Sequence, residues 1–415
     1  MKVFDVFTPT ATPTITLIED HLIDRKAQFR DALEQGGALI NISGPSKSGK
    51  TVFIKNIVGG ANLVPVSGAG VSTADELWLR VFHVIGTPVE QSNSEEQGST
   101  VTIGGSATIG AAFFAKAEGQ LSGSANLANK QSGSTKKAVD FLQLLIAELA
   151  KTGLVLFIDD FHYIPRDAQE IIARQIKEAI DKGVLIVCAS VPNHTEDVLK
   201  ANADLRGRIV TIDFDFWPPD ALRKIPERGF KALNVTLEIA TVEALISEVA
   251  GSPQLMQSLC LNTCLEAGVR VSGAAITLPS DTDFYGNVCY RTASTADYSS
   301  TLEKLVDGPK TRGTERKQYR LRDGSVGDVY TILIQALALD PPSLHFRYPD
   351  LQERISRICE ADTPVGSSVT GAGLHIAQLA NDGTDRTIMA WDQAEDVLDI
   401  RDPYLLFYLR WHEPR

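Results

Sequence analysis

Residues 38–58 decide the fold. They read Ala38-Leu39-Ile40-Asn41-Ile42, then Gly44-Pro45-Ser46-Lys47-Ser48-Gly49-Lys50-Thr51, then VFIKNIV. The central octapeptide fits G-x-x-x-x-G-K-[ST], the pattern of a loop that wraps phosphate. Its glycines let successive backbone N–H groups curl round an anion, which makes Gly44, Ser46, Lys47, Ser48 and Gly49 the expected cradle. Lys50 is placed to reach the β/γ oxygens of a polyphosphate, and the Thr51 hydroxyl to bind Mg²⁺. The apolar run before the loop reads as a buried strand and the run after it as a helix, so the anion would face a helix N-terminus.

Working outward, strands and helices alternate. Asn62–Val66 reads as a second strand, ADELWLRVFHVI and KKAVDFLQLLIAELAK as helices, and LVLFIDD as a third strand. RDAQEIIARQIKEAI, VLIVCAS and Ile209–Phe214 then give a helix and two more strands. Uninterrupted apolar strands separated by helices predict an α/β fold with a parallel sheet covered on both faces. A phosphate loop calls for an acidic residue at the end of another buried strand, and Leu154–Ile158 ends in Asp159-Asp160. Asp159 is the candidate holder of the Mg²⁺ water shell, and Asp160 the group that positions the attacking water. Ser190, with Asn193 as the alternative, closes the next strand, where a polar group would sense a γ-phosphate. Arg206 and Arg208 precede the fifth strand, and either is a candidate to reach a neighbouring subunit's nucleotide.

From Trp217 the pattern is helical over 216–272, and residues 270–300 are rich in Ser, Thr and Asp, as in a linker. The stretch 273–327 carries a basic cluster at 304–322, with seven Lys/Arg and two acids. Residues 328–415 read as three helices, two short strands and a terminal helix, the order of a winged helix. The boundaries expected are therefore 1–215, 216–272, 273–327 and 328–415.

Here the pattern resembles the AAA+ and STAND ATPases. The resemblance rests on the order of phosphate loop, DD-ended strand, polar strand tip, strand-preceding arginine, helical lid and winged helix. Gly251-Ser252-Pro253 at the start of a lid helix is similar to the STAND GxP motif, which implies that Pro253 lies near an adenine nucleotide. The resemblance implies ATP or ADP with Mg²⁺ as cofactors. It also implies a switch that hydrolyses ATP slowly, forms a homo-oligomer in the ATP state, and works with a separate effector or sensor protein, in a setting such as prokaryotic antiphage defence. The lid segment SPQLMQSLCLNTC has no sensor arginine, and Asp160 stands where most AAA+ enzymes have glutamate; both features favour the STAND side. The alternatives are a DNA-linked AAA+ regulator of the replication-initiator or transposition type and a membrane-inserting effector.

Charge bears on the DNA alternative. The chain has 415 residues and a net charge of −12. Residues 328–415 hold seven arginines, no lysines and fourteen acids, and their candidate recognition helix, SSVTGAGLHIAQLAN, has no Lys or Arg. Because phosphate contacts dominate DNA affinity, a protein-contacting role fits this segment better; its His375 is a remote candidate for touching phosphate. Residues 98–134 contain 20 Gly, Ser or Ala among 37 positions, with apolar residues at alternate positions such as Val101, Ile103 and Ile109. A period of two predicts a β-hairpin turning near Glu118-Gly119-Gln120. It would contact protein or, as the alternative, a membrane.

The opening MKVFDVFTPTATPTITL has no signal-like apolar core, and no run approaches the length of a membrane-spanning helix. The five scattered cysteines suit buried thiols rather than a disulfide framework. A cytoplasmic protein is the expectation.

Overall fold

Leu39–Ser43 (β1) is buried at all five positions, as expected of a strand covered on both faces. The structure is a computed structural model; it describes every residue except 93–99, 104–139, 191–204, 206, 311–312, 314, 385–386 and 414–415. The chain forms two units. A sheet unit comprises Leu22–Gly44 and Lys50–Phe214, and a helical unit comprises Met1–His21, Pro45–Gly49 and Asp215–Arg415.

In the sheet unit, β1 is followed by Leu63–Ser67 (β2), Val89–Ser92 (β3), Thr100–Ile103 (β4), Val155–Asp159 (β5), Leu185–Ser190 (β6) and Ile209–Asp213 (β7). Five of these form a parallel sheet in the order β2-β5-β6-β1-β7. Side chains alternate across a strand, so each run feeds two cores. Leu39, Leu156, Ile158 and Ile186 join Trp78, Phe82, Leu145, Ile172 and Ile176 on one face. Ile40, Ile42, Phe157 and Val187 join Phe29, Phe53 and Ile54 on the other. The helices Lys50–Val58, Ala74–Ile85, Phe141–Leu149 and Arg166–Asp181 supply the covering layers.

Residues 100–103 are extended, but their antiparallel partner is the upstream Val89–Ser92, with Val89 opposite Ile103 and Ser92 opposite Thr100. The sequence VEQS has one apolar residue, so its strand carries no readable period. The turn expected at 118–120 and the second arm lie outside the described residues.

In the helical unit, Pro219–Leu233, Ile239–Glu248 and Pro253–Glu266 share one core with Phe7, Val288, Phe407 and Trp411. The Ser/Thr/Asp-rich stretch expected as a linker instead holds the helix Thr282–Ala293, followed by Ser299–Asp307. Its polar residues act as caps rather than spacers: the Asp281 carboxylate accepts from the Phe284 N–H at 2.9 Å, while Val288, Cys289 and Ala293 are buried. A second core gathers the helices Val329–Ala338, Tyr348–Ile358 and Gly366–Ala380 with a three-stranded antiparallel sheet. That sheet runs His345–Arg347, Val397–Ile400, Met389–Asp392 in spatial order. The edge strand His345–Arg347 is too short to show in the sequence.

A buried ion pair ties this unit together. The Arg410 guanidinium donates to both Glu248 carboxylate oxygens, Nε to Oε2 at 2.8 Å and Nη2 to Oε1 at 2.7 Å. The Trp411 indole donates to Glu248 Oε2 at 2.8 Å, and the two charged side chains are only 2% and 8% exposed. All five cysteines are free and buried. Among the described residues, no helix is long and apolar enough to cross a membrane.

Candidate functional site

The strand order sets the place. β1 alone is followed by a crossover toward the β2 edge, whereas β2, β5 and β6 are each followed by one running toward β7. Ligands of open α/β sheets bind where that direction reverses, at the carboxyl ends of the strands, and the loop 44–51 leaves the carboxyl end of β1. Only glycine fits at its start. A Cβ on Gly44 would lie 2.5 Å from the Phe214 Cβ and 2.7 Å from the Phe214 carbonyl oxygen. The Phe214 N–H donates to the Ser43 carbonyl at 2.7 Å, and the Gly44 N–H to the Ser190 carbonyl at 3.3 Å, so the loop is anchored to both strands beside β1.

The sheet unit brings the chemical groups together. Lys50 opens the helix Lys50–Val58, and its Nζ donates to the Gly44 carbonyl across the mouth of the loop at 2.7 Å. Thr51 Oγ1 donates to Asp159 Oδ2 at 2.9 Å, which joins the two expected Mg²⁺ ligands. The Asp160 N–H donates to Asp159 Oδ1 at 3.0 Å. Asp160 sits in the left-handed region at φ 57°, and its carbonyl would lie 2.7 Å from a Cβ on Gly68. The turn after β2 therefore presses against the end of β5, and Gly68 is a site-shaping residue that the sequence alone did not mark.

Electrostatics follow from burial. Desolvation raises the Asp159 carboxyl above its ordinary value, the neighbouring Asp160 charge adds to that, and Thr51 and Lys50 oppose it. Desolvation also lowers Lys50 to about 8, against the pull of Asp159 and Asp160. A lysine whose folded value lies below its unfolded 10.5 disfavours folding while charged, so its effect on stability improves as pH rises from about 8 to 10.5. Polyphosphate binding runs the other way, because it needs the ammonium. A nucleoside triphosphate held by this lysine would bind about tenfold more weakly at pH 9 than at pH 7. Calorimetry in two buffers of different ionisation enthalpy should show proton uptake on binding at pH 9; a flat pH profile would exclude this.

The helical unit holds residues 45–49. Ser48 Oγ donates to the Pro45 carbonyl at 2.9 Å, and the Trp217 indole N–H donates to the Ser48 carbonyl at 2.9 Å. Trp217 also packs against His21, ring centroids 4.2 Å apart, and its backbone N–H donates to the Gly251 carbonyl at 2.9 Å. Gly251 is left-handed at φ 85°, where a Cβ would meet Phe216 at 2.5 Å. Ser252 caps the helix by accepting from the Leu255 N–H at 3.2 Å, and Pro253 is its buried first residue. Trp217 thus links Ser48 to the Gly251-Ser252-Pro253 turn, a connection no sequence motif announces. Lys47, whose backbone N–H belongs to the expected cradle, is left-handed at φ 64° without being glycine, which costs about 1 kcal/mol. Its ammonium contacts both Asp402 carboxylate oxygens at 2.8 Å. Ser46 is half-buried in the same turn.

The remaining candidates differ in place. Ser190 lies at the end of β6 opposite Ser43, beside the start of the loop, and its buried hydroxyl donates to Asn41 Oδ1 at 3.3 Å. Asn41 was hidden inside an apolar run. Arg208 pairs with Asp181, and its carbonyl accepts from the Leu39 N–H. It therefore stands at the amino end of β1, opposite the end the loop leaves, and is not brought to Lys50 within this chain. The His375 Nδ1 hydrogen-bonds the Tyr330 hydroxyl at 2.8 Å, which places it inside the 328–415 bundle. Arg206, Asn193 and most of 98–134 lie outside the described residues.

The sequence matches no protein-family model and no curated protein sequence. Solved structures do match. The Walker-type ATPase paby2304 of Pyrococcus abyssi is 15% identical, covers 94% of this chain and 95% of its own, and superposes with a TM-score of 0.52. The Aeropyrum pernix ORC2 protein, solved in ADPNP-ADP complexes, is 12% identical with 98% and 96% coverage and a TM-score of 0.50. At these identities the likeness establishes the fold alone, an α/β fold with a five-stranded parallel sheet.

Proposed function

We propose that the chain is an ATP-binding switch that hydrolyses ATP slowly, changes assembly state with nucleotide, and signals through protein contacts. The observation that carries this is the meeting of Lys50, Thr51 and Asp159 at the carboxyl ends of β1 and β5. It is supported by a likeness in fold to an ATPase and to a protein solved with ADPNP and ADP. The Thr51 hydroxyl and Asp159 carboxylate are hard oxygen donors, suited to an Mg²⁺ that also binds phosphates and water. Mg²⁺ would supply charge neutralisation on the β/γ oxygens. Lys50 would hold those oxygens, the cradle of backbone N–H groups would orient them, and Asp160 would position the attacking water. Arg208, exposed and ahead of β7, is assigned to the nucleotide of a neighbouring subunit, and Pro253 to the neighbourhood of the base. We read 328–415 as a winged helix and the whole as STAND-like, in a defence or stress setting.

Asp159→Asn is expected to bind ATP yet lower turnover about 100-fold; release of inorganic phosphate is the measurement. The decisive test of the switch is mass in solution with ADP and with a non-hydrolysable ATP analogue, for wild type and Lys50→Ala. Assembly in wild type alone supports the reading, and no nucleotide dependence in either protein removes it.

The charge arrangement argues against the DNA-linked alternative. In the basic segment, Lys304 pairs with Asp382, Arg316 with Asp328 and Lys317 with Asp362, so these cations already face carboxylates. The helix Gly366–Ala380 carries no Lys or Arg. Salt-dependent DNA binding would reverse that judgement.

A further inference from the structure

Lys47 is built for more than filling a loop. It holds a left-handed backbone, φ 64°, that glycine adopts freely and other residues rarely do. Non-glycine residues kept in such conformations concentrate at functional sites. Its ammonium lies 2.8 Å from each oxygen of Asp402 and 4.1 Å from the centre of the Tyr404 ring. The two side chains are 20% and 10% exposed, so the pair is largely shielded from water and screening salt.

Asp402 has two further bonds that do not depend on Lys47. It caps the helix Pro403–Trp411, Oδ1 accepting from the Tyr404 N–H at 2.9 Å, and Oδ2 accepts from the Tyr298 hydroxyl at 2.7 Å. Tyr404 is itself fixed by Ser258, hydroxyl to hydroxyl at 2.9 Å. Lys47, Tyr298 and Tyr404 also line one cavity of about 400 Å³, so the residue is bordered by open space. Asp402 can therefore lose its cation and remain hydrogen-bonded, which is the property a two-position contact needs.

We propose that Lys47 is a phosphate-state reader. Without nucleotide, Asp402 holds its ammonium; with a nucleoside triphosphate in the loop, the phosphate charge takes it, and the start of the helix Pro403–Trp411 loses its tether. This rests on the reading of residues 44–51 as a nucleotide loop and adds a regulator to it. Coupling of this kind is reciprocal: Asp402 weakens nucleotide binding by the same factor that nucleotide weakens the Lys47–Asp402 contact.

The test uses the full chain and a fluorescent N-methylanthraniloyl ATP in Mg²⁺. Asp402→Asn keeps a competent helix cap and removes the charge; with its oxygen on the Tyr404 N–H, its amide NH2 can donate to the Tyr298 hydroxyl, so that contact survives with its direction reversed. This variant is expected to bind the probe about tenfold more tightly than wild type, and the gain should vanish in a Lys47→Met background. An unchanged affinity in folded Asp402→Asn, or a gain that persists with Lys47→Met, overturns the proposal. Wild type provides a measurement that needs no variant. Hydrogen exchange at residues 402–406 should quicken several-fold on saturation with the probe, and exchange indifferent to nucleotide also overturns the proposal. If wild type binds no probe at all, the nucleotide reading itself has failed, which is a different result from binding without coupling to Asp402.

Discussion

Lys50→Ala is expected to weaken ATP binding by about 100-fold or more, measured by calorimetry at pH 7. Each charge-assisted hydrogen bond to phosphate is worth about 1.5–3 kcal/mol, and about 2.7 kcal/mol suffices for a factor of 100. The same substitution should leave the melting temperature unchanged or higher. Burial lowers Lys50 to about 8, so at pH 7 the folded chain carries an ammonium it would rather not hold, and removing it relieves that cost. Lost binding with retained stability would mark Lys50 as a residue kept for its ligand. A large loss of stability would instead make its bond to the Gly44 carbonyl structural.

The largest stability effect is expected at Arg410→Met. Glu248 would stay buried with the Trp411 indole N–H but without its cation, and breaking one side of a buried pair costs about 3–5 kcal/mol. For a unit of this size that is roughly a 10 °C fall in the melting temperature, visible by calorimetry. Glu248→Gln with Arg410→Met should recover much of the loss, because no buried charge remains. Recovery of nothing would show that the side chains matter for packing and not for charge.

Legibility differed by element for physical reasons. The sheet was readable because strands covered on both faces must be apolar throughout, and Leu39–Ser43, Val155–Asp159 and Leu185–Ser190 are nearly so. The candidate site residues at strand ends stood out because an abrupt change from apolar to Gly, Asp or Ser is itself a pattern. Short or polar elements were not: Val89–Ser92 and His345–Arg347 offer too few residues for a period. The helix Thr282–Ala293 was obscured because a cap such as Asp281 has the composition of a loop. Ser190 shows what a strand tip hides, since nothing in its local sequence announces the hydrogen bond of its hydroxyl to Asn41 on the neighbouring strand.

Chain chemistry alone marked a G-x-x-x-x-G-K-T loop after a buried strand, and Lys50, Thr51, Asp159 and Asp160 as the candidate working groups. These are local facts: spacing, hydropathy and side-chain type within a few residues. Tertiary structure decided everything that needs residues far apart in sequence to meet. It placed Thr51 on Asp159, closed Phe214 over Gly44, set Trp217 on Ser48, and put Asp402 on Lys47, 355 residues away. No periodicity or motif encodes such pairs, because each depends on the sum of many turns and packings between its partners.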